Sequence, residues 1–123
     1  MMVSQNAKSY MAESKIANQG ITSTSITSGK WSASSCSFTS GTYKRQGDVV
    51  NVELTLKTTS AYSAGTEYTM GTLNSTDFPI RTSFVGISGI GTVTVQNSGI
   101  IRCVPYKNAS NGSNFYVRII GIL

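Results

Sequence analysis

The chain has 123 residues, which is enough for a single domain with a core of its own. Charged residues make up 12% of it, about half the usual share, and Ser, Thr, Gly and Asn take their place. The formal net charge is +5, but Lys44-Arg45 is the only adjacent basic pair. A nucleic-acid-binding surface is expected to cluster basic and aromatic residues, so we expect no nucleic acid partner. The 39% of hydrophobic residues, in clean alternation, argues against a disordered chain.

The first twenty residues have a different pattern from the rest. Heptad-like spacings of four, three, four and three residues separate Val3, Ala7, Tyr10, Ser14 and Ala17. With Gly20 as a stop, this spacing predicts a short helix. Two interpretations stay open: a neck where copies of the chain meet, or a helix or frayed tail that lies on its own domain. No apolar stretch suits a signal peptide or approaches about 18 residues, so we expect no membrane insertion.

The next segments are predicted from their β-branched and small residues. Residues 21–29 are typical of a Ser/Thr-rich linker or a weak edge strand. A strand is predicted over residues 30–39, where small residues on both faces indicate packing on both sides. Trp31 opens this strand and is expected in the core or a subunit contact rather than as a ligand platform. A short strand over residues 42–46 leads into the turn at Gly47-Asp48.

The clearest strand follows this turn. A period of two runs through residues 50–57, in which Val and Leu alternate with polar side chains. Because successive side chains of a strand point to opposite faces, this segment buries one face and leaves the other in water. We therefore place it at the centre of an antiparallel sheet.

Shorter strands are predicted along the rest of the chain, at residues 67–73, 80–87, 92–96, 100–104 and 115–123. The turn Asn97-Ser98-Gly99 joins two of them in a hairpin. A total of about seven to nine strands, spaced by roughly 8–12 residues, predicts an all-β fold, an antiparallel β-sandwich or jelly roll with a short N-terminal helix or neck. We divide the chain into residues 1–25, the neck or helix and linker, and residues 26–123, the sandwich head.

Few residues suit catalysis or metal binding. The chain has no histidine, and Cys36 and Cys103 cannot close a zinc site alone. Both cysteines are expected in strands, as buried free thiols rather than as a disulfide. Glu53 and Glu67 would have to face each other across a sugar to act as a glycosidase pair, but solvated strand faces are the simpler interpretation. We therefore expect no enzyme, no catalytic residues, no metal and no cofactor.

The order of several short motifs carries a family resemblance. In chain order these are Gly29-Lys30-Trp31, Tyr43-Lys44, Gly47-Asp48, the strand Val49–Leu56, Thr72-Leu73 with Pro79, Gly99-Ile100-Ile101 and the closing strand. This order resembles the C-terminal head domain of tail-fibre and baseplate receptor-binding proteins of tailed bacteriophages and prophages, over about Lys30 to Leu123. The family often has Leu-Pro followed by Gly-aromatic-Arg-Pro, whereas Asn74 follows Leu73 here. The loops match nothing in the family, so no binding residue is carried over.

The resemblance implies a homotrimer of β-sandwich heads at the tip of a phage tail, made in the bacterial cytoplasm and located in the virion. Its expected partners are copies of itself, a host-surface glycan and other tail or baseplate proteins. Two alternatives stay open: a purely structural virion or baseplate module, and a bacterial carbohydrate-binding or adhesin module.

Two polar loops offer the side chains that bind sugars without catalysis, namely aromatic faces for C–H groups and amides or hydroxyls for hydroxyl groups. The candidate ligand-binding residues are Tyr62, Tyr68, Tyr106, Lys107, Asn108 and Asn111. The alternative is that these tyrosines pack at strand ends and the asparagines only make turns.

Overall fold

The computed structural model describes residues 20–80, 85–88 and 91–123 of the chain. These residues form nine strands and one turn of 3-10 helix at Ser28–Lys30. In chain order the strands are β1 (Ile21–Ser25), β2 (Trp31–Ala33), β3 (Cys36–Gln46), β4 (Val49–Thr58), β5 (Tyr68–Leu73), β6 (Val85–Ser88), β7 (Gly91–Val95), β8 (Ile100–Pro105) and β9 (Asn114–Ile122). The predicted N-terminal helix or neck lies outside the described residues. No helix in the described part of the chain is long and apolar enough to cross a membrane.

All the strand pairs are antiparallel, and the hydrogen-bonded order is β1-β3-β4-β9-β6-β7-β8-β5-β2. The prediction of an all-β antiparallel sandwich is confirmed. The strand predicted at the centre is β4, which pairs with β3 on one side and β9 on the other.

The two halves of this order are linked where β2 runs into β3. The backbone N–H groups of Ser34 and Ser35 each donate to β5, to the carbonyls of Met70 and Thr69 at 3.2 Å. One residue later, Cys36 pairs with Thr58 of β4. A single run of chain therefore passes from β5 to β4, and the strand order folds over into two layers around one core.

The core follows from the alternation predicted for β4 and from a matching alternation in β9. On β4, Val50, Val52, Leu54 and Leu56 are buried, and on β9 Phe115, Val117 and Ile119 are buried. Trp31 is also a core residue, and its Nε1 donates to the carbonyl of Cys36 at 3.0 Å. A Cβ atom at Gly71 would collide with the Trp31 ring, so this strand position admits only glycine. The expectation of a core role for Trp31 is confirmed.

Two boundaries differ from the sequence prediction. Residues Ile21–Ser25 pair along β3 as an edge strand, so the sheet begins before the predicted head boundary at residue 26. The single strand predicted at 30–39 is divided between β2 and β3, and β3 runs on without a break into the strand predicted at 42–46. A β-bulge between Phe38 and Ser40 lies within β3. The hairpin between β7 and β8 forms as predicted, with Gly99 at a φ of 88° in its turn.

Candidate functional site

The two long polar loops, residues 59–67 and 106–113, lie against each other, and we call them the loop cluster. Tyr62 and Ala109 form a two-way backbone bridge, with N···O distances of 2.8 and 2.9 Å. The N–H of Gly65 donates to the carbonyl of Pro105 at 2.9 Å. The structure therefore brings together the two loops that carry the predicted ligand-binding residues.

Polar side chains in the loop cluster are largely used to hold its own backbone. Thr58, at the end of β4, is buried; its Oγ1 donates to the carbonyl of Ser110 at 3.0 Å and accepts from the N–H of Ser113 at 2.9 Å. Asn108 Oδ1 accepts from the N–H of Ala64 at 2.9 Å. The Asn108 side chain thus links the two loops to each other.

Tyr62 is a core residue and does not offer a ring face to a ligand. Its ring stacks on Tyr68, with centroids 4.0 Å apart and planes 2° apart, and it also packs against Phe115. Its hydroxyl contacts Ser35 Oγ and lies 3.2 Å from Cys36 Sγ. Burial, together with the contact with Cys36, raises the pKa of Tyr62. Tyr62 is therefore removed from the candidate binding residues.

Tyr68, the other ring of this stack, is half-buried. Its hydroxyl accepts from the backbone N–H of Ser63 at 2.7 Å, and this hydrogen bond lowers the pKa of Tyr68. Tyr106, Lys107 and Asn111 remain exposed. The ring of Tyr106 is 70% exposed, and its hydroxyl lies 3.2 Å from Thr92 Oγ1. Asn108 is exposed as well, with its Oδ1 already bonded, so four of the six predicted residues are accessible to a ligand.

A concave feature lies on the outer face of the layer that contains β3, β4 and β9, and we call it the groove. It has a volume of about 810 Å³. Its walls come from the segment after β1, from the bulged part of β3, and from β4 and β9; the lining residues are 25–28, 38–42, 53–55 and 116–118. The bulge at Phe38–Ser40 shapes this wall, and Gly41 follows it, where a Cβ atom would lie 2.8 Å from Leu54 Cδ2.

The groove is rich in hydroxyl groups that the protein does not use. The hydroxyl-bearing residues that line it are Ser25, Thr27, Ser28, Thr39, Ser40, Thr42 and Thr55. Within the described residues, none of these seven side chains hydrogen-bonds to the protein. These hydroxyls can therefore donate hydrogen bonds to a ligand or accept them from it.

An exposed aromatic ring and one ion pair complete the groove. Tyr116 on β9 is 68% exposed and lies opposite Thr55 of β4 in the register. Two residues further on β9, Arg118 lies opposite Glu53, and its Nη2 is 3.5 Å from Glu53 Oε1. Because alternate residues of a strand share a face, Tyr116 and Arg118 point outward together while Phe115 and Val117 fill the core.

The sequence prediction missed this site, although the closing strand carried its signal. The pattern FYVRIIGI alternates buried and exposed positions from Phe115 to Ile122, and that alternation places Tyr116 and Arg118 on the outer face. The prediction placed a strand there but assigned no binding residue to it. The groove also needs the β3 bulge and the cross-strand register, which no local pattern shows.

The remaining candidate chemistry is dispersed. Glu53 contacts Arg118, while Glu67 lies 3.9 Å from Arg102 Nε, so the two glutamates belong to different ion pairs. In the described part of the chain, no group of three or more His, Cys, Asp or Glu residues is placed to hold a metal ion. Cys36 and Cys103 are free, buried thiols. Burial raises the pKa of Cys103 to about 11.

Comparison with known proteins adds no assignment. The chain matches no protein-family model, and no curated protein matches its sequence at a significant level.

Proposed function

We propose that this chain is a receptor-binding head module of a phage or prophage tail that recognises a host-surface saccharide as a homotrimer. The tail assignment, the virion location and the partnership with other tail or baseplate proteins rest on the sequence resemblance. The saccharide proposal rests on one structural observation: in a concave groove, an exposed tyrosine ring lies beside a row of hydroxyls that make no hydrogen bond to residues 20–80, 85–88 or 91–123.

This combination suits a sugar for physical reasons. One face of a sugar ring carries C–H groups, which pack well on an exposed aromatic face. The edges of the ring carry hydroxyl groups that both donate and accept hydrogen bonds. The Thr42 and Thr55 hydroxyls can do the same, while Glu53 accepts and Arg118 donates. The groove therefore offers complementary contacts to both parts of a sugar.

Association of copies is supported by a separate patch on the same outer face. Ile21, Val49, Ile120 and Ile122 are all exposed, and the register places them together at one end of the layer. Large aliphatic groups gathered on one surface gain free energy when a second surface covers them. Light scattering of the full chain is expected to give a trimer; a monomer would favour the bacterial adhesin alternative.

The binding test compares two tyrosines of nearly equal exposure. Retention of labelled bacterial cell-wall polysaccharide is measured for Tyr116→Ala and for Tyr106→Ala. We expect Tyr116→Ala to weaken retention about tenfold, equivalent to about 1.4 kcal/mol, because the ring face is lost. Tyr106→Ala is expected to change it by less than about twofold.

Two other outcomes would change the position of the site or the proposed function. Weakening by Tyr106→Ala alone would move the site to the loop cluster and exclude the groove. A trimer that retains no polysaccharide would favour the alternative of a structural module that only assembles.

A further inference from the structure

The groove is electrically neutral although the chain is basic. Of the fifteen lining residues in the described part of the chain, only Glu53 and Arg118 carry formal charges, and these two pair with each other. The chain as a whole has a net charge of +5. The excess positive charge therefore lies outside the groove lining.

The nearby lysines Lys57 and Lys44 do not add charge to the groove lining. Lys57 lies two residues after Thr55 on β4, but its Cε is 3.7 Å from the point where a Cβ of Gly112 would lie, so its stem runs toward the loop cluster. Lys44 lies opposite Asn51, and this pair is two residues along the strands from the pair of Thr42 and Glu53. Neither lysine lines the groove.

We infer that the groove binds an uncharged saccharide, with a sugar ring on Tyr116 and its hydroxyls at the Glu53–Arg118 pair. This inference rests on the proposed function and specifies its ligand class. Tyr116 and Arg118 are two residues apart on one strand, about 7 Å, so a single sugar unit spans the distance between them.

The pair itself discriminates between ligand classes. A hydroxyl group can donate to the Glu53 carboxylate, and a neighbouring hydroxyl can accept from the Arg118 guanidinium, with the ion pair left intact. A carboxylate or phosphate group would instead compete with Glu53 for Arg118 and be repelled by the Glu53 charge. The neutral ligand therefore gains two polar contacts at the place where an anionic ligand meets repulsion.

The experiment uses two panels of soluble polymers and the full chain. The neutral panel is glucan, galactan and mannan; the anionic panel is polygalacturonate and a glycerol-phosphate teichoic acid. Affinities are measured at 25 and 250 mM NaCl. We expect binding to at least one neutral polymer that changes by less than about twofold with salt, since the contacts carry no net charge, and that falls about tenfold in Tyr116→Ala.

Glu53→Gln tests the role of the ion pair, and Glu67→Gln is the matched control. Both substitutions remove one carboxylate from a glutamate–arginine pair, but Glu67 and Arg102 lie outside the groove. Glu53→Gln leaves Arg118 without its partner, so we expect severalfold weaker binding of the neutral polymer and a new, salt-sensitive binding of the anionic polymers. Glu67→Gln is expected to leave both affinities unchanged.

The possible failures are distinguishable. If the wild-type chain prefers an anionic polymer, and this binding is lost in Tyr116→Ala, the ligand class is overturned while the groove and the proposed function stand. If Glu53→Gln and Glu67→Gln behave alike, the ion pair does not select the ligand. If no polymer of either panel binds, or if binding does not respond to Tyr116→Ala, the proposed function of the groove fails and the inference fails with it.

Discussion

The groove and the loop cluster contain similar side chains but use them differently. Each has an exposed tyrosine, Tyr116 at 68% and Tyr106 at 70%, and each is rich in hydroxyl groups, to which the loop cluster adds side-chain amides. In the loop cluster these groups bond to the backbone of the two loops, as Thr58 and Asn108 do. In the groove the seven hydroxyls make no such bonds within the described residues.

This difference shows which polar atoms are available to bind a ligand. A polar group that already bonds the backbone must give up that bond to bind a ligand, and where the backbone group is buried the loss costs about 1–3 kcal/mol. A hydroxyl bonded only to water exchanges that water for a ligand at a smaller cost. The residue types of the loops favoured them as the binding site. The hydrogen bonds that the side chains make in the structure favour the groove instead.

The largest expected effect is the loss of the aromatic stack that supports the loop cluster. Tyr62→Ala removes a buried ring that packs on Tyr68 and Phe115. We expect the free energy of unfolding to fall by about 3–5 kcal/mol, the range for deletion of a buried aromatic side chain. Denaturant unfolding of the purified variant measures it.

Tyr106→Ala is the matched control, since it deletes a similar ring from the exposed side of the same loop cluster. We expect it to change stability by less than about 0.5 kcal/mol. If Tyr62→Ala does not fold, Tyr62→Phe keeps the stack, loses the contacts with Ser35 and Cys36, and is expected to cost about 1 kcal/mol. Equal stability of the Tyr62 and Tyr106 variants would contradict the structural role of Tyr62.

An intermediate effect is expected from two threonines on the same strand. Thr58→Val keeps the side-chain shape but removes the acceptor for the N–H of Ser113 and the donor to Ser110, so we expect a loss of about 1–3 kcal/mol in stability. Thr55→Val, three residues earlier and in the groove, is expected to change stability by less than about 0.5 kcal/mol.

The same two variants should have the opposite ranking in polysaccharide retention. Thr55→Val removes a groove hydroxyl and is expected to weaken retention severalfold, while folded Thr58→Val retains normally. Denaturant unfolding measures the stability of each variant, and the retention assay measures how well each binds polysaccharide. A Thr55→Val variant that is destabilised as much as Thr58→Val would show that the groove hydroxyl has a structural role.

The fold was predictable from the sequence because the strands have strong local patterns. The period of two in residues 50–57 gives β4 and its buried face, and the Asn97-Ser98-Gly99 turn gives the hairpin of β7 and β8. The bulge in β3 was not predictable, since nothing in the pattern around Thr39 shows that one extra residue is accommodated there.

The candidate site was less predictable because it depends on contacts between distant strands. Tyr116 and Arg118 belong to one groove with Thr42 and Ser25 only through the pairing of β9 with β4, β4 with β3, and β3 with β1. The residues around Tyr62 are polar, as in an exposed loop, yet its ring is buried because the loop folds inward onto Phe115. Local polarity indicates where loops lie, but it does not show which of their side chains turn inward.

The smallest expected effect is a pH dependence that belongs to the core beneath the loop cluster. Cys103 pairs with Tyr68 in the register, and burial raises the pKa of its thiol from an ordinary value of 9.0 to about 11. The folded state therefore favours the neutral thiol, so this stabilisation is complete below pH 9 and is lost as the pH rises toward 11. At pH 10 the loss assigned to Cys103 is about 1 kcal/mol.

Cys103→Val isolates this contribution, because the lysines and the other buried groups titrate in both proteins. Denaturant unfolding at pH 7, 9 and 10 gives the stability of each protein, and the comparison uses only the change with pH, so that any packing cost of the substitution cancels. We expect the fall between pH 9 and 10 to be smaller in the variant by about 1 kcal/mol. The same fall in both proteins would mean that the thiol is not held neutral by burial, and that the core under the loop cluster is more open to water than its packing indicates.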